Sequence, residues 1–269
     1  MKRRFQWLWL GAVLLFMYAP ILILGIYSFT DSAVIGALGQ FSLTNYQVLF
    51  TTPEIMDMLT GTLILALIVS LMATALGTVG ALGAFYGPRR GRRAVRTMNQ
   101  IPVVNADVVT GFSVCILLIV FFGMDKDTYI PLAIGLTTLC APFVYLSVLP
   151  RLRQMDPALY EAALDLGCTE GQTIRKVVLP QIAPGVFSGF MLSITLTLDD
   201  YFISTYTKPA TFDTISTYVV NATRGSQTEI KTALWALSTV IFLVVVLVVF
   251  AMNRSASRGN PAADGRKGA

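Results

Sequence analysis

Met58 to Pro88 reads MLTGTLILALIVSLMATALGTVGALGAFYGP, 31 residues without an Asp, Glu, Lys or Arg. A helix that crosses a bilayer core of about 30 Å needs about 20 mostly apolar residues, so this run holds a membrane span. The whole chain agrees with it. Of 269 residues, 55% are hydrophobic and 13% charged, about half the charge of an average soluble domain, and the mean hydropathy is +0.67. That composition excludes a soluble enzyme, a secreted disulfide scaffold, a disordered tail and a nucleic-acid binder. The chain contains no His, the commonest general base and transition-metal ligand. Cys115, Cys140 and Cys168 lack any pair spacing and encode neither a disulfide framework nor a zinc site.

Working outward, the charge-free runs predict an all-α polytopic membrane protein with six transmembrane helices. The first is Trp7 to Phe29, the second lies within Met58 to Pro88, and the third is Val103 to Gly123. The fourth is Tyr129 to Leu149, the fifth Gly185 to Tyr206 and the sixth Thr232 to Met252. Lys2, Arg3 and Arg4 precede an apolar run too long for a signal-peptide core, so the first span reads as retained. With six spans and the N-terminus inside, cytoplasmic segments hold 16 Lys and Arg, and outer loops hold only Lys126, Lys208, Arg224 and Lys231. Both termini are therefore expected in the cytoplasm. The net charge of +5 becomes a matter of topology and anionic-lipid contact, not of nucleic acid. The divisions expected are 1–57 (first helix and outer loop), 58–252 (transmembrane domain with a cytoplasmic loop at 150–184) and a disordered tail at 253–269. In the outer loop, Thr44 or Asn45 is expected to cap a short helix.

Pro150 to Pro184 is the long polar inner stretch and predicts two helices around a turn. Asp156 can cap free amides and Pro157 fits a first turn. Leu159, Ala162, Ala163 and Leu166 then recur at helical spacing on one face. Gly167 follows where a reversal with positive φ requires glycine. Thr169 can cap a second helix that carries Ile174, Val177 and Val178 and ends at Leu179-Pro180.

Glu161-Ala162-Ala163, three residues, Gly167, nine residues and Val177-Val178-Leu179-Pro180 resembles the EAA motif of ABC importer permeases, with Val177 in place of Ile. Met17-Tyr18-Ala19-Pro20, Ile26-Tyr27-Ser28-Phe29 and Leu196-Thr197-Leu198-Asp199-Asp200 resemble the polyamine branch, the PotC and PotI type. The resemblance spans nearly the whole chain. It implies the type 1 ABC importer (MetI-like) fold and an inner-membrane location. It also implies that Glu161, Ala162, Ala163, Gly167, Leu179 and Pro180 belong to a helix docking into an ATPase. The implied partners are a second permease subunit (PotB type), two ATPase subunits (PotA type) and a substrate-binding protein (PotD type). Independently, no Gly-x4-Gly-Lys-Ser/Thr occurs, so this chain has no phosphate loop; ATP and Mg would be bound by the partner ATPase, with no cofactor or metal in this chain.

Three acids fall inside the proposed spans: Asp107, Asp199 and Asp200. A charge near the bilayer centre costs about 2.5–3.5 kcal/mol on insertion scales, so such residues line a path or pair with something. No Lys or Arg lies within the proposed spans, which leaves a partner subunit, water or a cationic substrate. On a continuous fifth helix Asp199 and Asp200 diverge by about 100°, and Tyr206 shares the face of Asp199, with Tyr201 nearby. Carboxylates beside aromatic rings suit a polyamine through charge pairing and cation–π contact. Asn105-Ala106 stands before Asp107 where the resembling family often has Pro-Asp. The function expected is a permease subunit of an ATP-driven spermidine/putrescine importer, without enzymatic chemistry of its own. The alternatives are an ABC permease for an iron complex or an anion, and a gradient-driven cation transporter, for which an ATPase dock has no use.

Overall fold

The computed structural model describes residues 2–30, 39–224, 235–243, 246–247 and 250, and among them the chain is helical, with one isolated antiparallel bridge between Thr30 and Phe41. The helices are α1 Lys2–Ser28, α2 Thr44–Thr51, α3 Pro53–Tyr86, α4 Arg89–Val104 and α5 Asp107–Cys115, the last running on through a π-helical Ile116–Phe121. Next come α6 Ile130–Gln154, α7 Pro157–Asp165 and α8 Glu170–Thr173, followed by a π-helical Ile174–Val178. α9 Leu179–Asp199, α10 Phe202–Thr207 and α11 Ile215–Arg224 complete the series. Four stretches are long and apolar enough to cross a membrane: Phe5–Ser28, Pro53–Tyr86, Ile130–Gln154 and Glu170–Asp199. The proposed sixth span, Thr232 to Met252, lies partly outside the described residues, of which 235–243 are helical. The tail 253–269 lies wholly outside them.

Two expected spans need correction. The third does not run straight from Val103 to Gly123: α4 takes Val103 and Val104, the chain breaks at Asn105-Ala106, and α5 leaves at 111°. The fifth is not continuous from Gly185 to Tyr206, because its helix begins at Glu170 and α9 stops at Asp199. Asp200 adopts an extended ψ of 121° before α10 starts. Nor does the second helix of the inner loop end at Leu179-Pro180. It passes through the π turn into α9, where a wider turn absorbs the donor that Pro180 lacks.

The chain divides into two compact units, Met1–Leu59 with Tyr218–Leu247, and Thr60–Thr217 with Val248–Ala269. In the first unit, α1 exposes Phe5, Trp7, Leu15, Phe16 and Leu22, an apolar surface suited to lipid. The expected side-chain cap of α2 is absent. Its N-cap is Leu43, and Asn45 is buried, donating to the carbonyls of Ser28 at 3.2 Å and Thr30 at 2.8 Å. Ser28 in turn donates to the Tyr46 hydroxyl at 2.6 Å.

The second unit is built on α6, which packs along α9. Lipid tails are as apolar as Leu, so close van der Waals packing has to hold such helices together. Gly77 of α3 and Gly189 of α9 supply it by both closing on Val144. A Cβ at Gly77 would sit 2.6 Å from the Val144 Cβ, and one at Gly189 would sit 3.1 Å from its Cα. Ile203 of α10 is held the same way, with Gly111 of α5 and Gly135 of α6 against it. Val144 and Ile203 are both fully buried.

Candidate functional site: an exposed loop helix and a broken acidic span

The loop at 150–184 folds on local signals. Asp156 accepts from the Ala158 amide at 3.0 Å, and Pro157 occupies the first turn of α7. Gly167 has φ +86°, its amide donates to Leu164 O at 2.9 Å, and Cys168 N donates to Ala163 O at 3.1 Å. Those two bonds form a Schellman stop, the closure expected from glycine at this position. Thr169 and Gln172 then make a reciprocal capping box, at 3.4 Å and 3.2 Å, that starts α8.

The face that α7 buries differs from the expected one. Of Leu159, Ala162, Ala163 and Leu166, only Ala163 is buried. Tyr160 anchors the helix instead, its ring stacked on Tyr86 with centroids 4.8 Å apart. A large aromatic facing another ring outcompetes the alanines and turns the helix about its axis. Glu161, Ala162 and Leu164 are therefore exposed beside Leu166, which is 86% exposed. Leu179 and Pro180 are also exposed, two turns along the next helix.

The acids separate sharply. Asp200 is 8% exposed, and its two carboxylate oxygens accept from Ser204 N at 2.8 Å and Ile203 N at 3.4 Å. It satisfies the free amides at the start of α10, as a capping acid does. Asp199, one residue earlier, is exposed; its carbonyl accepts from Ser216 Oγ at 3.2 Å, and its carboxylate is in no hydrogen bond or ion pair among the described residues. Asp107 is also exposed, in the first turn of α5, and its carboxylate lies within electrostatic reach of Asp200. The neighbouring asparagines are engaged elsewhere, Asn105 with Thr110 Oγ1 at 3.1 Å and Asn99 with Pro142 O at 3.4 Å. The break removes the shared face expected for Asp199 and Tyr206. Tyr206 is half-buried, edge-on to Phe112 at 5.7 Å, and its carbonyl accepts from Cys115 Sγ at 3.2 Å. Tyr201 is half-buried against Phe202, 5.4 Å between centroids.

Other polar devices escaped sequence reasoning. Thr214 and Thr217 cap α11 reciprocally, with Thr217 in the place where a capping box usually has Glu or Gln. Thr62 of α3 accepts from the Ile215 amide at 3.2 Å, and Lys208 pairs with Asp213 at 2.9 Å. The Thr-x-x-Thr spacing signals the first of these and Lys208 lies only five residues from Asp213, whereas the Thr62 contact joins residues 153 positions apart and leaves no local trace. Among the described residues, no three His, Cys, Asp or Glu side chains are grouped to hold a metal ion.

Beside these glycine-seated helices, the exposed face of α7 and the polar break between α4 and α5 stands a sequence match to a known family. The profile of the binding-protein-dependent transport system inner membrane component matches residues 73–259. The chain belongs to this family. Among relatives of this transport component, the putrescine transport system permease protein PotI of Escherichia coli K12 is 32% identical over 87% of this chain and 84% of its own length. The spermidine/putrescine transport system permease protein PotC of the same strain is 27% identical over 93% of this chain and 94% of its own. A bacterial ABC transporter involved in import of the acidic polysaccharide alginate has a chain with TM-score 0.71 and 21% identity, covering 94% of this chain and 97% of that one. At that identity the likeness concerns the fold.

Proposed function

We propose that this inner membrane transport component is the permease subunit of an ATP-driven polyamine importer in a bacterial cytoplasmic membrane. It has six spans with both termini cytoplasmic, divided as 1–57, the 58–252 transmembrane domain and the 253–269 tail. It works beside a second, PotB-type permease subunit, two PotA-type ATPases that bind ATP and Mg, and a PotD-type substrate-binding protein. The relatives named for putrescine and spermidine support the substrate class. The observation that carries it to this chain is the pair of exposed carboxylates, Asp107 and Asp199, at the two helix breaks, neither paired with a Lys or Arg among the described residues. A polyamine ammonium supplies the missing charge, and Tyr201 and Tyr206 stand nearby as aromatic neighbours. Asp200 supports the path indirectly by holding α10 in place.

ATP-driven movement enters through Glu161 to Gly167, with Leu179 and Pro180 at the base of α9. The exposed Leu164 and Leu166 support this, because an apolar surface at the tip of a polar loop is suited to burial against a partner.

The test is reconstitution of the complete complex in proteoliposomes, with ATP hydrolysis read against candidate solutes on the binding protein. Putrescine or spermidine should stimulate hydrolysis, and Asp199→Asn should lower uptake about tenfold while the complex still assembles. Normal uptake by both Asp199→Asn and Asp107→Asn rules out the cation path. Stimulation by an anion and by no polyamine assigns the substrate to another class.

A further inference from the structure

At the loop end of the second unit, α4 and α6 enclose a cavity of about 260 Å³ whose rim carries Arg92, Arg96 and Arg153. Phe85, Leu149 and the buried Tyr145 complete most of its wall, and no carboxylate lines it. Arg92 and Arg96 lie four residues apart and so share one face of α4. Arg153 comes from the last turn of α6, where its charge complements the helix dipole. Nothing similar accounts for the other two. α4 has five arginines and no acid, and its charge is crowded into the amino-terminal half, the end at which the helix dipole disfavours cations. The Arg92 guanidinium donates to Phe85 O at 3.0 Å; Arg96 and Arg153 have no hydrogen bond or ion pair among the described residues.

Three guanidinium groups around one concavity repel each other, and among the described residues no carboxylate lines the cavity to relieve them. We propose that this cavity binds a phosphate group, seated between Arg96 and Arg153 with Arg92 as the third contact. The planar fork of Arg matches phosphate oxygens in pairs, which a scattered surface charge does not require. The size limits the ligand. At about 260 Å³ the space falls below the usual range of about 300–1,000 Å³ for drug-sized ligands, so it fits a headgroup or a free ion better than a nucleotide. Its place at the end of two spans, with apolar Leu149 and Phe85 in the wall, suits an anionic phospholipid of the inner leaflet. The inference rests on the membrane orientation proposed above and is independent of the transported solute.

Native mass spectrometry of the full-length chain, released from detergent with phosphatidylglycerol or with phosphatidylcholine, tests it. Phosphatidylglycerol should be retained in preference. Arg96→Gln with Arg153→Gln should lower that retention about fivefold, and the matched Lys pair should lose an intermediate amount because charge stays while the fork is gone. Arg90→Gln with Arg93→Gln removes the same charge from α4 outside the cavity and should change retention less than about twofold. Millimolar inorganic phosphate separates the sources: displacement of the lipid identifies a free-ion site, and unchanged lipid retention identifies a lipid site. Equal losses in the two Gln pairs, or no preference over phosphatidylcholine, overturn the proposal. Thermal unfolding of each variant in detergent keeps misfolding distinct from lost binding.

Discussion

The loop at 150–184 and the break at Asp200 are both polar interruptions of apolar helix, yet they are held by different means. Around Gly167 the hydrogen bonds that shape the turn all join residues within a few positions: Asp156 to Ala158, Cys168 to Ala163, Thr169 to Gln172. Around Asp200 the capping bonds are also short in sequence, but they form inside a packed setting where Ile203 is wedged between glycines of α5 and α6. A break in water can be held by its own turn. A break among packed helices has to satisfy every amide it frees, because no water is there to do so. The difference also separates two neighbouring aspartates: Asp200 is consumed by structure, and Asp199 stays exposed.

The largest test of that contrast is Asp200→Ala. It strands the amides of Ile203 and Ser204 and should cost about 3 kcal/mol, read as a lower unfolding midpoint in detergent. Asp199→Ala should cost less than about 0.5 kcal/mol, as exposed substitutions do. Equal losses would show that both acids are structural. Next comes Gly77→Val, which drives a side chain against Val144 and the Ala141 carbonyl and should destabilise by about 2–3 kcal/mol. Gly80→Ala meets nothing closer than 3.8 Å and should fall within about 0.5 kcal/mol of the parent. In the loop the effects shrink. Gly167→Ala forces a Cβ into the left-handed region and should cost about 1–2 kcal/mol, and Thr169→Ala should lose a cap worth about 1 kcal/mol. Both should leave α6 and α9 packed, as amide exchange along those helices would report. Leu166→Glu should have the smallest effect on stability, near zero, because the side chain touches so little of this chain. It should nevertheless reduce co-purification of the ATPase about tenfold; full recovery of the complex would remove α7 from the docking surface.

Legibility followed the range of the forces involved. Span two was evident from its uncharged length, and the turn at Gly167 from the spacing of Asp156, Pro157, Gly167 and Thr169. The face that α7 buries was not, because it depends on a stack between Tyr86 and Tyr160, 74 positions apart. The two helix breaks carried only weak signals. Asn105-Ala106 contains no proline, and Asp199-Asp200 reads equally well as two residues of a continuing helix. What ends α9 is the placement of α10 against α5 and α6, which no local pattern records. The arginines of α4 were read as a loop charge that orients the chain; that Arg96 and Arg153 meet across a cavity is a fact of packing.

By itself the sequence determined that this chain carries apolar helices long enough for a bilayer, where the first, second and fourth of them lie to within a few residues, and how the 150–184 loop turns. Those features are governed by transfer free energy and by hydrogen bonds between near neighbours, both of which can be summed along the chain. Only the tertiary structure decided which aspartate is spent as a cap and which stays exposed, which face of α7 looks outward, and where the third and fifth spans break. Each of these depends on which distant side chain arrives at a given point, and in a membrane that choice rests on close packing around small residues such as Gly77, Gly135 and Gly189.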